Sequence, residues 1–373
     1  MPKSKSPVTA RPGATAPSSV PVALARADAP PLVAAISPSG PRRPTINDIA
    51  RLANVSKKTV SRVINHSPFV NDATRARIDA VIQEIGYVPD PQARGLAFRR
   101  SFLIGMVYDN PNAQYIVNIQ DGALDALRGS GFELVVHPCD RRSDDFIPGV
   151  RRFVERQKLH GVILIPPVSE NDELVRTLQQ TDCQYVRVAS VCLDTTARMI
   201  VSNDFEATAE VAEHLVSLGH RRIGVIAGPS QHRSAHERLN GFVGALEKHG
   251  ITVPADLIVE GAFTFESGVT CAEGLLGRRQ RPTAIFACND EMAAGVYKAA
   301  YDLRVSIPDE LSVVGFDDSV MASRLTPALT TVRIPIRDMG RLAAARLISP
   351  QTTDEGPARM NLHLVVRDSS RAL

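Results

Sequence analysis

Residues 45–65 decide the fold of the N-terminal part of the chain, and they read Thr45-Ile-Asn-Asp-Ile-Ala-Arg-Leu-Ala-Asn-Val-Ser-Lys-Lys-Thr-Val-Ser-Arg-Val-Ile-Asn65. Apolar residues recur at helical spacing on both sides of Val55, which predicts two short helices joined by a tight turn. Thr45 is placed to cap the first helix, with Asp48 at the capping-box position, and Ser56 is placed to cap the second. The stretch therefore predicts a helix-turn-helix pair.

A third helix and a short linker follow this pair. Asn71-Asp72 begins the third helix, whose apolar residues keep the helical spacing up to a stop at Gly86. Asp90-Pro91 can begin one more short helix, which ends near Phe98. We expect residues 45–89 to form a headpiece and residues 90–100 to form a hinge helix and linker.

The positive charge of the chain is concentrated at its N-terminal end. The 373 residues carry a net charge of +3, which divides into +5 for residues 1–44, +4 for residues 45–100 and −6 for the remainder. Residues 1–44 are rich in Ala, Pro and Ser, with ten prolines, and are expected to be a disordered basic tail. A basic head on an acidic body favours a head that faces a polyanion, although chance variation in surface charge is an alternative.

From residue 101 onward, short apolar strands alternate with helices. The strand 102–107, the helix 115–127, the strand 161–165 and the helix 238–249 illustrate this rhythm. It predicts an α/β fold of parallel sheets with right-handed crossovers, and its length predicts two lobes with a cleft at the carboxyl ends of the strands. We expect the core, residues 101–373, to divide into an N-lobe (about 101–201 and 333–357) and a C-lobe (about 202–332 and 358–373).

Composition and motifs exclude several classes of protein. Five cysteines, an odd number with no CxxC spacing, argue against a disulfide framework or a zinc module. The longest apolar runs are too short to span a membrane and no secretory signal is evident, so we expect a cytoplasmic protein. No Gly-x-Ser-x-Gly elbow, Walker loop or HExxH motif occurs, so we expect no enzyme, no cofactor and no metal. His232 and His236 have the spacing of metal ligands on a helix but no evident third ligand, and loop-surface histidines are the favoured interpretation.

Motifs along most of the chain resemble those of one known family. Besides residues 45–65, the matching motifs are Ile85-Gly-Tyr-Val-Pro89, Ala93-Arg-Gly-Leu96, Leu218-Gly-His-Arg-Arg-Ile-Gly-Val-Ile-Ala-Gly228, Arg238-Leu-Asn-Gly-Phe242, Cys288-Asn-Asp-Glu-Met292 and Ser312-Val-Val-Gly-Phe-Asp-Asp318. They resemble the LacI/GalR family in kind and in order, from residue 45 to about residue 370. The resemblance implies a dimeric transcriptional repressor whose core is similar to a periplasmic binding protein.

The resemblance assigns DNA contacts to the second helix and to the hinge. Lys57 and Lys58 would occupy the specificity positions and Arg62 the common base-contacting position, since Lys and Arg favour guanine O6 and N7. Phosphate contacts or a solvated helix face are the alternatives for the two lysines. In the hinge motif, Ala93 and Leu96 would contact DNA, with Leu96 acting as a minor-groove wedge. Polar groups suited to phosphate contacts are carried by Thr45, Ser56, Thr59, Ser61 and Asn65, although Thr59 and Ser61 could be ordinary helix-surface residues.

A second set of residues matches effector-contacting positions of the family. These residues are Arg238, Phe263, Asn289 and Asp317, together with Asp109, Asn110 and Tyr115 from the loop after the first core strand. Arg238 is expected to begin a helix. Phe263 could stack on a sugar ring or pack in the core.

Three aspartates in these motifs have alternative roles, as ligand acceptors or as helix caps. Two positions of the chain depart from the family pattern. Asp317 and Asp318 could be paired acceptors for sugar hydroxyls, while Asp290 and Asp318 could instead cap the helices that follow them. Many sugar-responsive members carry Asn-Pro-Phe-Phe where this chain has Asn110-Pro-Asn-Ala-Gln-Tyr115, and Phe205 stands where an asparagine is common.

The sequence therefore predicts an effector-responsive transcriptional repressor. A homodimer would read a pseudo-palindromic operator DNA, and a mono- or disaccharide in the interlobe cleft would relieve that binding by an allosteric change. One alternative is a corepressor-type member, in which a ligand such as a purine strengthens DNA binding. A solute-binding protein or a sugar-processing enzyme would explain the core but not residues 45–100.

Overall fold

A computed structural model describes residues 44–64, 69–87, 101–181, 183–349 and 357–373. The chain divides into two compact units, Met1–Val88 and Pro89–Leu373, which are described separately. Within the described ranges, no helix is long and apolar enough to cross a lipid bilayer.

The headpiece contains three helices, α1 (Ile46–Leu52), α2 (Lys57–Ile64) and α3 (Asp72–Ile85). Each begins where the sequence supplies a cap. The Thr45 backbone N–H and hydroxyl both donate to the Asp48 carboxylate, at 2.9 and 2.7 Å, and the Asn71 side chain accepts from the Thr74 N–H at 2.8 Å. Helix α3 ends at Gly86, whose φ of +62° lies in the left-handed region. The buried residues that hold the three helices together are Ile49, Ala50, Ala53, Val60, Val63 and Ile78.

The N-lobe is built on a six-stranded parallel sheet. Its strands are β1 (Leu103–Tyr108), β2 (Glu133–Pro138), β3 (Gly161–Leu164), β4 (Gln184–Ala189), β5 (Met199–Ser202) and β11 (Ala358–Met360). Their order in the sheet is β11-β5-β4-β3-β1-β2. The helices of the N-lobe are α4 (Ala113–Leu127), α5 (Phe146–Gln157), α6 (Asp172–Gln180) and α11 (Ile336–Ile348). Strand β3 is buried along its whole length, as expected for a central strand covered on both faces.

The C-lobe is built on a second six-stranded sheet. Its strands are β6 (Ile223–Ala227), β7 (Ile258–Glu260), β8 (Ala284–Ala287), β9 (Ser312–Asp317), β10 (Thr330–Arg333) and β12 (His363–Val365). Their order is β12-β10-β9-β8-β6-β7, and β12 alone of the described strands runs antiparallel to its neighbour. The helices of the C-lobe are α7 (Asp204–Ser217), α8 (Arg233–Lys248), α9 (Phe265–Leu276) and α10 (Asp290–Asp302). The α/β architecture predicted from the sequence is confirmed.

The chain passes between the lobes after β5, after β10 and between β11 and β12. The last passage lies a few residues later than the boundary expected at residue 357. Strand β11 pairs in parallel with β5, with Ala358 opposite Ile200, so residues 358–360 belong to the N-lobe sheet rather than to the C-lobe. The physical reason is that β11 fills the open edge of β5 before the chain turns towards β10.

Candidate functional site

Helix α2 presents a cationic face in the described headpiece. Lys57, Lys58 and Arg62 are all exposed, while Val60 and Val63 face the headpiece core. Lys58 and Arg62 lie four residues apart and therefore share one side of the helix. The geometry gives the headpiece a cationic helix of the kind that enters a DNA major groove.

The polar residues predicted around this helix have partners within the headpiece. The Ser56 hydroxyl accepts from the Thr59 N–H at 3.1 Å and lies 2.9 Å from the Thr59 hydroxyl, so it caps α2. Thr45 is held by Asp48, and Ser61 is half-buried. Three predicted DNA-contacting residues, Asn65, Ala93 and Leu96, lie outside the described residues, as does the whole predicted hinge helix.

The core unit contains a cleft at the carboxyl ends of the strands of both sheets. Of the seven effector residues predicted from the sequence, six line it, namely Asn110, Tyr115, Arg238, Phe263, Asn289 and Asp317. The seventh, Asp109, does not line this cavity. Its carboxylate instead accepts from the Arg141 backbone N–H at 3.1 Å and from Arg141 Nε at 3.2 Å. Asp109 therefore orients the side chain of Arg141.

Arg238 is the centre of the charge arrangement in the cleft. Its Nε donates to Asp204 Oδ2 at 2.8 Å, and its Nη1 donates to the Cys288 carbonyl at 2.7 Å and lies 3.9 Å from Asp317 Oδ1. Burial opposes its charge, but Asp204 and Asp317 outweigh it and raise the pKa of Arg238. The guanidinium carbon also lies 3.8 Å from the centre of the Phe316 ring. Arg238 is thus fixed on every side and aligns both carboxylates.

Helix α8 begins at Arg233, so Arg238 lies in its second turn. The prediction that Arg238 begins the helix is wrong. The difference matters because a second-turn side chain points back along the helix towards its N-terminus. That direction brings the guanidinium to the strand ends.

Asp317, at the end of β9, has a shifted pKa and a rare backbone conformation. Burial raises its pKa well above the ordinary value, against the lowering effect of Arg238, and Asp290 and Asp204 raise it further. Its backbone φ of +123° lies in a region that residues other than glycine rarely adopt. A carboxyl with a raised pKa can take up a proton and then donate one hydrogen bond while accepting others.

Asp317 and Asp318 line a common cavity, and their pairing as acceptors for sugar hydroxyls stays a prediction. The carboxylate of Asp318 is bound by Arg333 Nε and Arg367 Nη2, each at 2.5 Å. The alternative that Asp290 and Asp318 cap helices is wrong. Asn289 is the cap of α10, accepting from the Met292 N–H at 2.9 Å. Asp290 instead accepts from Ser319 N–H and Thr331 Oγ1, at 2.7 and 2.6 Å.

Phe263 packs in the core, and its stacking on a sugar ring stays a prediction. Its ring packs against the hydrophobic core and also lines the cleft. It lies so close to Gly228, just after β6, that a Cβ atom there would sit 2.0 Å from Phe263 Cζ. The glycine therefore makes room for an aromatic wall of the cleft.

Sequence reasoning missed several residues that also line the cleft, namely Ser190, Ser202, Asp204, His232 and Ser234. Ser190 follows β4, and its buried hydroxyl has no hydrogen-bond partner in the described part of the chain. Ser202 ends β5 and donates to Asp204. Ser190 and Ser202 share one sequence signal, a polar residue at the carboxyl end of a parallel strand, which also marks the cleft residues after β1, β8 and β9.

The two histidines with the spacing of metal ligands, His232 and His236, make contacts around the start of α8. His232 is the N-cap residue of α8, and His236 lies 2.6 Å from the Ser230 carbonyl. No group of three His, Cys, Asp or Glu side chains suited to a metal ion occurs among residues that the structure describes.

A helix-turn-helix unit with a cationic second helix, joined in one chain to a two-lobed core with a polar cleft, defines a DNA-binding transcription regulator. Known proteins agree with this class. Residues 45–90 match the model of the bacterial regulatory proteins of the lacI family, and residues 212–370 match a periplasmic binding protein-like domain. The chain belongs to the LacI family. It is a DNA-binding transcriptional repressor and not an enzyme, as predicted.

Similar proteins span nearly the whole core and headpiece. The probable HTH-type transcriptional repressor ExuR of Bacillus subtilis (strain 168) is 31% identical over 338 residues, which cover 88% of this chain and 99% of that protein. The ribose operon repressor of Escherichia coli (strain K12) is 32% identical over 312 residues, covering 82% of this chain and 92% of that protein. Among solved structures, the lac repressor dimer bound to operator and the anti-inducer ONPF has a TM-score of 0.73 and 28% identity, and the match covers 89% of this chain and 100% of that one.

Proposed function

We propose that the protein is an effector-responsive repressor in which a saccharide binds the interlobe cleft and releases the operator. The observation that carries the proposal is the arrangement around Arg238. A fixed guanidinium holds Asp204 and Asp317 at the cleft, and the Phe263 ring forms one wall. The buried Ser190 hydroxyl has no hydrogen-bond partner among the residues that the structure describes. Closely spaced donors and acceptors beside an aromatic face suit a small polyhydroxylated ring.

The relatives do not decide between a saccharide and a purine, since they include both the ribose operon repressor and repressors named PurR. The choice of a saccharide as the first ligand to test rests on the cleft itself. Within the cleft, Phe263 offers a single aromatic face and Asp317 a carboxyl that can both donate and accept, which suits vicinal hydroxyls. A corepressing ligand would occupy the same cleft but would have the opposite effect on DNA affinity.

The proposal includes a homodimer, because a two-fold operator needs two headpieces. Exposed apolar side chains in the core unit are suited to such an interface. Val117 and Leu124 lie on the outer face of α4, Val136 on the edge strand β2, and Tyr301 at the end of α10 is 81% exposed. Apolar exposure of this kind is typical of interaction surfaces.

DNA binding in the proposal combines the cationic face of α2 with the hinge. Lys57, Lys58 and Arg62 would contact bases and phosphates, and Leu96 would enter the minor groove at the operator centre. Leu96 lies outside the described residues, so its role rests on the sequence. Leu96→Ala is expected to weaken specific operator binding far more than non-specific binding, and equal losses on the two DNAs would exclude a wedge.

Fluorescence anisotropy of a labelled operator, titrated with the full chain, tests the proposal. Addition of a panel of mono- and disaccharides should include one that weakens binding by the wild-type chain. Arg238→Lys should abolish that response but leave operator binding intact without ligand, since the headpiece is unchanged. A ligand that strengthens binding would identify a corepressor instead, and failure to bind any operator would refute the proposal.

A further inference from the structure

The N-terminus of α8 is contacted by two side chains of the opposite lobe. Arg141, which follows β2 of the N-lobe, places Nη2 3.0 Å from Nε2 of His232 in the C-lobe. Glu170, which follows β3 of the N-lobe, accepts through Oε2 from the backbone N–H of Arg233 at 3.1 Å. Two consecutive C-lobe residues are thus held by two N-lobe side chains, one cationic and one anionic.

The contact by Glu170 replaces a missing helix cap. The first N–H groups of a helix lack partners within it, and His232 makes no side-chain bond to them although it occupies the N-cap position. The Glu170 carboxylate supplies an acceptor from the other lobe, and its negative charge is favoured at this end of the helix dipole. Oε1 of the same carboxylate is buried without a hydrogen-bond partner in the described part of the chain. Burial raises the pKa of Glu170, and the bond to the Arg233 amide together with the positive charges of Arg233 and Arg141 opposes that rise.

The contact by Arg141 is oriented in advance. Asp109 binds Arg141 Nε at 3.2 Å and its backbone N–H at 3.1 Å, which aims the outer guanidinium nitrogen at His232. A guanidinium can only donate, so His232 Nε2 must be the unprotonated acceptor. Burial and the neighbouring Arg141 lower the pKa of His232 to about 4, which keeps that nitrogen free to accept.

We infer that Arg141 and Glu170 form an interlobe latch that holds the cleft closed by gripping the N-terminus of α8. The helix gripped by the latch carries Ser234 and Arg238, which line the cleft. Both interlobe contacts therefore require a closed cleft, so they form and break together. When the latch is closed, an effector has to supply less free energy for closure, so the latch sets the affinity of the cleft for any ligand it admits.

The role in effector affinity rests on the proposed function, whereas the latch itself does not. The test of the latch therefore uses the full chain without ligand. One of the two interlobe hydrogen bonds is removed by mutation, and the state of the remaining bond is then measured. Arg141→Gln leaves Glu170 and the Arg233 amide intact, and the exchange of that amide with deuterium should become about tenfold faster, the effect of losing one charge-assisted hydrogen bond. Glu170→Ala should raise the pKa of His232 from about 4 towards the ordinary value of 6.5, measured by NMR of histidine-labelled protein.

The second readout separates opening from a direct charge effect. Removal of a nearby negative charge would by itself lower the pKa of a histidine, so a rise signals that His232 has parted from Arg141 and gained solvent. Arg151→Gln and Glu155→Ala are the matched controls, since this pair on α5 has the same residue types, is about half exposed and binds only within one helix. The controls should leave both readouts unchanged. An unchanged Arg233 exchange rate in Arg141→Gln, or an unchanged or lowered His232 pKa in Glu170→Ala, would overturn the latch whether or not an effector is known.

Discussion

The ion cluster around Arg238 gives the sharpest prediction, and Arg238→Met is the perturbation. The arginine side chain is 10% exposed, and Asp204 and Asp317 beside it are 2% and 10% exposed. Methionine fills similar volume but leaves two buried carboxylates without their cation. Removing one partner of a buried ion pair costs about 3–5 kcal/mol, because the remaining charge is uncompensated. We expect the free energy of unfolding of the ligand-free chain to fall by this amount at pH 8.

A double-mutant cycle assigns the loss to the cluster. Asp204→Asn removes one of the two stranded charges, so the double variant Arg238→Met with Asp204→Asn should recover about 2 kcal/mol relative to the sum of the single losses. Urea unfolding followed by circular dichroism provides the measurement, since the chain has no tryptophan. Equal slopes of free energy against urea in all variants ensure that the midpoints report stability. Additive losses would show that Arg238 does not act through Asp204.

The sign of the pH dependence provides an independent check. Without Arg238, the buried Asp317 loses the cation that lowered its pKa, so its folded-state pKa rises further above that of the unfolded chain. A carboxyl with a raised folded pKa makes the protein less stable as pH rises through that pKa. Arg238→Met should therefore be less damaging at pH 5.5 than at pH 8. A loss that is the same at both pH values, or below 1 kcal/mol at pH 8 (about a fivefold change in the folding equilibrium), would refute the reasoning.

Three further predictions concern other parts of the molecule. Gly228→Ala should displace the Phe263 ring, because the new Cβ would approach it to 2.0 Å, and should weaken effector binding measured by calorimetry. Gly244→Ala within α8 is the control, since a Cβ there meets nothing within 4 Å. It should leave effector binding unchanged and add about 0.5–1 kcal/mol to the free energy of unfolding. Arg62→Gln should cost about 1–3 kcal/mol of operator binding and relax specificity at one base pair. Loss of a mere phosphate contact would instead weaken binding to all sequences about equally and lower the salt slope by about 1. The pKa of His232 is about 4 in the folded chain against 6.5 for the ordinary side chain, so stability that depends on its neutral form is lost as pH falls from 6.5 through 4. His232→Gln should therefore flatten the pH profile of the unfolding midpoint in that window. A profile identical to that of the wild type would exclude this role.

The headpiece and the order of the core elements could be predicted from the sequence because their signals are local. A capping residue, an apolar residue every three or four positions and a glycine stop act within one helix, and Thr45, Asn71 and Gly86 all behave as their residue types dictate. Polar residues after β8 and β9 marked the cleft for the same reason, since strand ends are visible in the sequence.

Contacts that depend on distant parts of the chain could not be predicted in this way. Nothing near Asp109 in the sequence shows that Arg141 occupies its carboxylate, and nothing near Asp318 shows that Arg333 and Arg367 bind it. The side chains meet only after the strands have been ordered in the sheets. The partners of a buried charge are set by topology, whereas the presence of the charge is set by sequence.

The passage between β11 and β12 also bears on how the protein is made. These strands are separated by two residues, yet each completes the edge of a different sheet. During synthesis neither lobe can acquire its full set of hydrogen-bonded strands until residues 358–365 have left the ribosome, whereas the headpiece emerges hundreds of residues earlier and can fold by itself. A ribosome that stalls late in the message would therefore release a chain with a finished DNA-reading end and two unfinished sheets, whose open edges would attract other chains.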